Sequence, residues 1–468
     1  MNRIAVINVV GLCDRHMGGD MLFSGMYRSI GKQAFIDPAF PAVTCTAQSD
    51  YLTGKSAADH GIVGNGWYNR EQAEIQFWRQ SNHIVRAPKI WEGLREKHEG
   101  FTCAKLFWWH NMYSGADWSI TPRPMYPADG RKVFDIYTEP HNIRADIKRD
   151  LGEFPFPGFW GPAAGLDTRA GKADCVSRWI AEAAKWIENK HKPTLSLVYL
   201  PHLDYNLQRL GPESKAIGAD LEAIDRIIDD LVEFYERRGV RPMLLSEYGI
   251  TKVRKAVHLN RLFREADWLT VKEELGLELL DAGAGRAFAV ADHQVAHVYL
   301  NDAAIAGDVR ALLEKTEGVQ FVLDHDAQRE RGVRHERAGD LIALAEEDVW
   351  FSYYYWLDDA RAPDFARTVD IHRKPGFDPA ELFMDPALSF PKGRIAWRLL
   401  QKKLGFRMLM DVIPLDASLV KGSHGCRPVS RADWPVLISP EPDWLPEDVL
   451  DSTGVRGVIE RAVGGQGG

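Results

Sequence analysis

Phe40-Pro41-Ala42-Val43-Thr44-Cys45-Thr46-Ala47-Gln48-Ser49-Asp50-Tyr51-Leu52-Thr53-Gly54, followed by His60-Gly61-Ile62-Val63-Gly64-Asn65, is the stretch on which the reading of this 468-residue chain turns. If a helix opens at Thr44, its hydroxyl meets first-turn backbone N–H groups and the positive end of the helix dipole. Those features make a ready site for a phosphoryl group. The competing reading makes Thr44 or Thr46 an N-cap that only satisfies those amides.

Short apolar runs rich in β-branched residues lie on either side of this stretch: Ile4 to Val10, Leu195 to Leu200, Met243 to Leu245 and His297 to Leu300. They read as strands buried on both faces. Ala219 to Arg238 reads as an amphipathic helix, because Leu221, Ile224, Ile228, Leu231 and Tyr235 recur at three- and four-residue steps and Gly239 supplies a C-terminal cap. Strand, helix, strand at this spacing predicts a three-layer α/β/α fold around a mostly parallel sheet, with chemistry just past the carboxyl ends of its strands. Two stretches break the alternation. Residues 66–175 are dense in aromatics, prolines and glycines (Trp67, Trp78, Trp108, Trp109, Trp118, Tyr126, Trp160), and residues 345–400 hold Trp350-Phe351-Ser352-Tyr353-Tyr354-Tyr355-Trp356. They are expected as insertions forming a lid or cap on a single domain over residues 1–430. Residues 431–468 are expected as a surface extension with a frayed end.

A composition of 45% hydrophobic and 26% charged residues supports a large core. With 58 basic and 66 acidic residues, the net charge of −8 gives no electrostatic footprint for a nucleic-acid polymer or an anionic membrane. Cys13, Cys45, Cys103, Cys175 and Cys426 are widely spaced, form no CxxC and read as thiols of a reducing compartment. Ile4 to Leu12 contains Asn8 and lacks a small-residue cleavage site, so it reads as a strand and not a signal peptide. No run approaches the roughly 20 apolar residues of a membrane span. A soluble, cytoplasmic protein is expected.

The Thr44 segment resembles the nucleophile segment of the nucleotide pyrophosphatase/phosphodiesterases of the alkaline phosphatase superfamily. There a Phe-Pro-x-x-Thr turn opens a helix and is followed by Thr-Gly and His-Gly-Ile-x-Gly-Asn. The resemblance implies an alkaline phosphatase-like fold with Thr44 as nucleophile. In Leu200-Pro201-His202-Leu203-Asp204-Tyr205-Asn206-Leu207-Gln208, Asp204 matches a metal-binding Asp and Gln208 stands where the family has His. The spacing of four keeps both on one face of a helical turn. Leu245-Ser246-Glu247-Tyr248-Gly249 matches a strand ending in Ser-Asp-His-Gly: Glu247 keeps a carboxylate, whereas Tyr248 offers a phenol that can donate a hydrogen bond to a substrate oxygen. Gly422-Ser423-His424-Gly425 matches the late His-Gly, which makes His424 the best imidazole candidate among 15 histidines.

The departures concern charge. Val10 occupies the place of an Asp ligand, and the family's oxyanion-stabilising Asn falls on Ala47, leaving Gln48 and Asn65 as candidates for substrate contact. Two divalent ions in a partly buried cleft need more carboxylates than Asp204 and Glu247 provide. One ion, held by Asp204, His424, Gln208 and Glu247, is therefore expected. Oxygen-rich ligation with one imidazole suits Mn²⁺ or Mg²⁺ about as well as Zn²⁺. His293 and His297, four apart, could replace missing ligands or be hydrogen-bonded core residues. His60 and His258 fit structural positions. His372, Arg373, Lys374 and Arg361 read as a solvated basic loop or as contacts to an anionic substrate.

Two functions follow. One is a metal-dependent hydrolase of a small phosphate ester (phosphodiester, pyrophosphate or phosphomonoester) acting through Thr44, with aromatic lids suited to a flat or apolar group. The other is a noncatalytic binding or scaffold protein that keeps the fold and cleft. A sulfatase would need Cys-x-Pro/Ala-x-Arg, and Ser49 stands at the Arg position.

Overall fold

From Ile4 to Val9 every side chain is buried, apolar except at Asn8, so this strand can be stable only with neighbours on both edges and layers on both faces. In the computed structural model, which describes residues 1–17, 31–129, 131–164 and 175–464, it lies at the centre of a nine-stranded sheet. The strands are β1 Arg3–Val9, β2 Lys32–Asp37, β3 Cys103–Leu106, β4 Trp118–Pro122, β5 Ile136–Glu139, β6 Leu195–Leu200 and β7 Val240–Leu245. A second sheet is built from β8 Ala287–Asp292, β9 Val295–Leu300, β10 Val319–Leu323 and β11 Leu341–Ala345, and the chain returns to the first through β12 Val436–Ser439 and β13 Val449–Asp451. The order across the large sheet is β13-β2-β12-β7-β1-β6-β3-β4-β5. The five central strands, β7 to β4, run parallel, while β12 is antiparallel to both neighbours and β5 is an antiparallel edge.

Helices flank the sheet in the manner expected of parallel crossovers. Ile217–Glu236, close to its sequence-predicted bounds, buries Leu221, Ile224, Ile228, Leu231 and Tyr235 in the main core. The smaller antiparallel sheet, in the order β8-β9-β11-β10, has its own core.

Three stretches differ from the sequence expectations. Residues 66–175 supply β3, β4 and β5, so much of that region is central sheet; residues 130 and 165–174 lie outside the described residues. The run Trp350 to Trp356 is buried in the core of the second sheet and does not line a lid, because Val349–Phe351 pairs in parallel with Lys255–Val257 and draws the aromatics inward. The segment after residue 430 is no surface appendage. β12 fills the gap between β2 and β7, and Val455–Gly464 buries Val455, Val458, Ile459, Ala462 and Val463. Residues 465–468, where the frayed end was expected, lie outside the described residues.

Candidate active site

Four chain segments converge beyond the carboxyl ends of β2, β6 and β7. Thr44 begins the helix Thr44–Thr53 seven residues past β2. Asp204 and Gln208 lie one turn apart on the helix His202–Leu210, which follows β6 directly. Ser246-Glu247-Tyr248 leaves β7, and Gly422-Ser423 pairs with Thr251-Lys252 to bring His424 alongside.

Thr44 Oγ1 lies 3.1 Å from Tyr248 Oη, which donates to Asp204 Oδ1 at 3.3 Å. A phenol has one proton. Since that proton goes to Asp204, Tyr248 accepts from the Thr44 hydroxyl. Gln208 Nε2 donates to Asp204 Oδ2 at 2.8 Å. The Tyr248 ring stacks on His424 with centroids 3.5 Å apart, and His424 Nδ1 faces the Ala42 carbonyl at 2.8 Å. His424 Nε2 and Asp204 Oδ1 are 4.0 Å apart, too far for a hydrogen bond. Burial raises the Asp204 carboxyl to about 7, although Gln208 and Tyr248 favour its ionised form.

Glu247 lies behind Thr44. Its Oε1 accepts from Asn8 Nδ2 and from Gln48 Nε2, each at 2.5 Å, and Gln48 Oε1 accepts from the Trp109 backbone N–H at 2.6 Å. Burial nevertheless raises Glu247 to about 8. Asn65 receives the Cys45 N–H and donates to Asp292. Gln48 and Asn65 thus stand behind the cleft wall, supporting the Thr44 helix. Val10 is fully buried and supplies no ligand atom.

The histidine pair separates clearly. His293 sits at the tip of the β8–β9 hairpin with φ 62°, lines the cleft, and lies against Phe377 and His424 at 3.5 and 3.7 Å between ring centroids. His297, within β9, binds the Val63 carbonyl and the Gly339 N–H and belongs to the interior. His60 pairs with Asp50, and His258 with Ser352, both away from the cleft. Lys374 is fully buried between Asp378 and Glu381, so the basic loop predicted there is not solvated at that position.

The cleft, a space of about 500 Å³ continuous with open solvent, is lined by Thr44, Asp204, Gln208, Tyr248 and His293 on its polar side. Its aromatic wall comes from Trp78, Trp109, Trp160, Tyr205 and Phe377. Of the adjacent pair Trp108-Trp109, only Trp109 faces the cleft; Trp108 is in the main core. Trp78, Trp109 and Trp160 belong to the aromatics of residues 66–175 expected to wall the cleft, whereas Tyr205 and Phe377 were not singled out by sequence, because nothing local marks which of many aromatics a distant loop will meet.

Among the described residues, no three His, Cys, Asp or Glu side chains form a metal-binding group. Three buried donor atoms nearby have no hydrogen-bond partner among the described residues: Gln208 Oε1, Glu247 Oε2 and His424 Nε2.

This architecture is of the alkaline phosphatase class. The fold matches phosphonoacetate hydrolase from Sinorhizobium meliloti 1021, solved with phosphonoformate, at 15% identity and TM-score 0.61, covering 99% of this chain and 96% of that one. It also matches murine ectonucleotide pyrophosphatase/phosphodiesterase 5, solved as an inactive threonine-to-alanine variant with AMP, at 12% identity and TM-score 0.58, covering 99% and 95%. The sequence profile of the type I phosphodiesterase / nucleotide pyrophosphatase family matches residues 22–378, and the chain belongs to that family. An uncharacterized pyrophosphatase/phosphodiesterase of Schizosaccharomyces pombe is 20% identical over 235 residues, which are 49% of this chain and 41% of that relative.

Proposed function

We propose that this chain hydrolyses a small phosphate ester, with Thr44 as the nucleophile. The observation that carries the reading is the hydrogen-bonded series Thr44–Tyr248–Asp204 at a helix N-terminus in the main cleft. Family membership supports the reaction class. The fold neighbours were solved with AMP and with phosphonoformate, which supports a small phosphorylated ligand.

In this reading Thr44 Oγ1 attacks phosphorus while the bond from phosphorus to the leaving alkoxide breaks in line, giving a phosphothreonine. The Thr44 proton passes to the Tyr248 oxygen as Tyr248 gives its own to Asp204 Oδ1, and the leaving oxygen takes up a proton from solvent water. Water then cleaves the phosphothreonine, giving its hydroxyl to phosphorus and its proton to solvent, while Asp204 returns its proton through Tyr248 to Thr44 Oγ1 and restores the hydroxyl. First-turn amides and the helix dipole favour the charge on the nonbridging oxygens. Gln48 and Asn65 hold the Thr44 helix against Glu247 and Asp292, so they act on substrate through positioning. Trp109, Trp160 and Phe377 offer flat contact area for an aromatic or apolar leaving group.

The donor set suits one divalent cation better than two. Asp204, Gln208, Glu247 and His424 would hold it: the three titratable groups do not form a ready-made metal-binding cluster as they stand, and would have to draw together around the ion, but the partnerless Gln208 Oε1, Glu247 Oε2 and His424 Nε2 support that assignment. A bound Zn²⁺, Mn²⁺ or Mg²⁺ would supply Lewis acidity toward a phosphoryl oxygen. A second ion would lack a carboxylate at the position of Val10 and an imidazole at that of Tyr248. The five cysteines form no disulfide with one another, which supports a reducing, cytoplasmic setting, and no helix among the described residues is long and apolar enough to cross a membrane.

The test is Thr44→Ala assayed against an aryl phosphate and an aryl phosphodiester, with acid-quenched mass spectrometry for phosphothreonine. Loss of turnover and of the phosphopeptide is expected. Equal activity in variant and parent would remove Thr44 from the mechanism, and an inactive parent under saturating metal would favour the noncatalytic scaffold.

A further inference from the structure

The helix Pro391–Lys403 carries no buried residue, although it contains Ile395, Trp397, Leu399 and Leu400. Gly393, Ala396, Trp397, Leu400 and, just past its end, Leu404 recur at three- and four-residue steps, and so share one stripe. That stripe faces away from the protein: Trp397, Leu400 and Leu404 are 57%, 44% and 64% exposed. The other side of the helix makes the contacts. Ile395 packs against the small cluster of Ala380, Val412 and Ile413, and Arg394 and Arg398 share the carboxylate of Asp411. Phe390 and Phe406, 73% and 66% exposed, extend the apolar surface at both ends. A contiguous exposed patch of this kind marks an interaction surface.

The charge around it is mostly positive, with the Asp411 carboxylate against Arg394 and Arg398 as the acid beside it. Between Pro386 and Met410 there are six basic residues, Lys392, Arg394, Arg398, Lys402, Lys403 and Arg407, and no Asp or Glu, within a chain of net charge −8. By helical periodicity Lys392 and Lys403 border one edge of the stripe. A protein groove would accept the apolar stripe, but a mostly basic border, with Lys392 and Lys403 along one edge, matches a surface of continuous negative charge.

We propose that this helix docks the protein on an anionic lipid bilayer. Its Trp, Leu and Phe side chains enter the boundary between headgroups and acyl chains, and its lysines and arginines reach the phosphates. Val369 packs against the same small cluster as Ile395 and also lines a pocket that shares Trp78, Trp109 and Trp160 with the cleft, so the helix sits on the side of the protein that carries the aromatic wall.

The experiment is co-sedimentation of the full chain with vesicles of phosphatidylcholine alone or mixed with phosphatidylserine, at low and high salt. Two variants on exposed positions accompany it: Trp397→Ser with Leu404→Ser, and Lys392→Glu with Lys402→Glu and Lys403→Glu. Circular dichroism of each is expected to match the parent. The parent is expected to sediment with the mixed vesicles only, and less in high salt. The serine variant is expected to bind about tenfold or more weakly, and the glutamate variant to lose at least about fivefold in partitioning for each lysine. Absence of sedimentation, equal binding to phosphatidylcholine alone, or unchanged binding of both variants would overturn the proposal. So would a concentration-dependent dimer, abolished by the serine variant, in a parent that ignores vesicles; the face would then be a contact between copies.

Discussion

Replacing Glu247 by Gln isolates the cost of a buried carboxyl beside the proposed nucleophile. Oε1 accepts two amide hydrogen bonds at 2.5 Å, from Asn8 and Gln48, and both favour the ionised form. Burial outweighs them and moves the group from 4.5 to about 8. A folded value above the unfolded one means that the stability contribution is complete below pH 4.5 and is lost as pH rises through about 8. At 1.36 kcal/mol per unit, ionisation of the unfolded chain costs the metal-free fold about 3 kcal/mol at pH 7 and about 4 at pH 8. Gln mimics the protonated acid and keeps the oxygen that Asn8 and Gln48 bind, while its new N–H₂ group, at the position of Oε2, costs about 1 kcal/mol if unpaired. Chelator-treated Glu247→Gln should therefore exceed the parent by about 3 kcal/mol at pH 8, and the advantage should vanish at pH 5. Urea unfolding at pH 5, 7 and 8, followed by tryptophan fluorescence, reads the difference. Asp204, raised to about 7, and Asp292, raised to about 6, tilt both proteins in the same direction, so the comparison cancels them. A stability difference independent of pH would refute the reasoning, as would a parent that gains on the variant between pH 5 and 8.

Tyr248→Phe keeps the ring stack on His424 and removes only the hydroxyl between Thr44 and Asp204. A loss of about 10²–10³ in kcat with little change in KM is expected, and an unchanged kcat in steady-state assays would exclude the relay. Lys374→Met leaves Asp378 and Glu381, which it contacts at 2.7 and 2.8 Å, as buried carboxylates without their cation. A destabilisation of about 3–5 kcal/mol is expected in urea unfolding, with recovery when Asp378→Asn and Glu381→Gln are added; no recovery would show that the cost lies elsewhere.

How much was legible in the sequence depended on whether the signal was local. Ile4 to Val10 and Leu195 to Leu200 announced buried parallel strands because a strand covered on both faces has no polar alternation. Thr44, Asp204, Glu247 and His424 could be nominated from sequence because each follows a strand or turn with its own recognisable wording, and the fold brings their segments together. The β12 and β13 segments were missed, since Val436–Ser439 is short and its place depends on a gap between β2 and β7 that only the assembled sheet creates. His293 and His297 looked alike as residues four apart on one strand. They differ because a two-residue turn falls at His293-Gln294, and neither residue belongs to the Asn, Asp or Gly set that normally signals such a turn. Trp108 and Trp109 went to opposite environments for a similar reason: backbone at positive φ on both sides, at Phe107 and His110, sets their directions, and buried Lys105 binds the Trp109 and His110 carbonyls to hold it. The basic helix shows the same limit in electrostatics. A net charge of −8 averages over 468 residues, whereas a surface responds only to charge within a Debye length, about 8–10 Å. Cations gathered on and around one exposed helix, outnumbering the Asp411 carboxylate that pairs with Arg394 and Arg398, can therefore act against the sign of the whole chain.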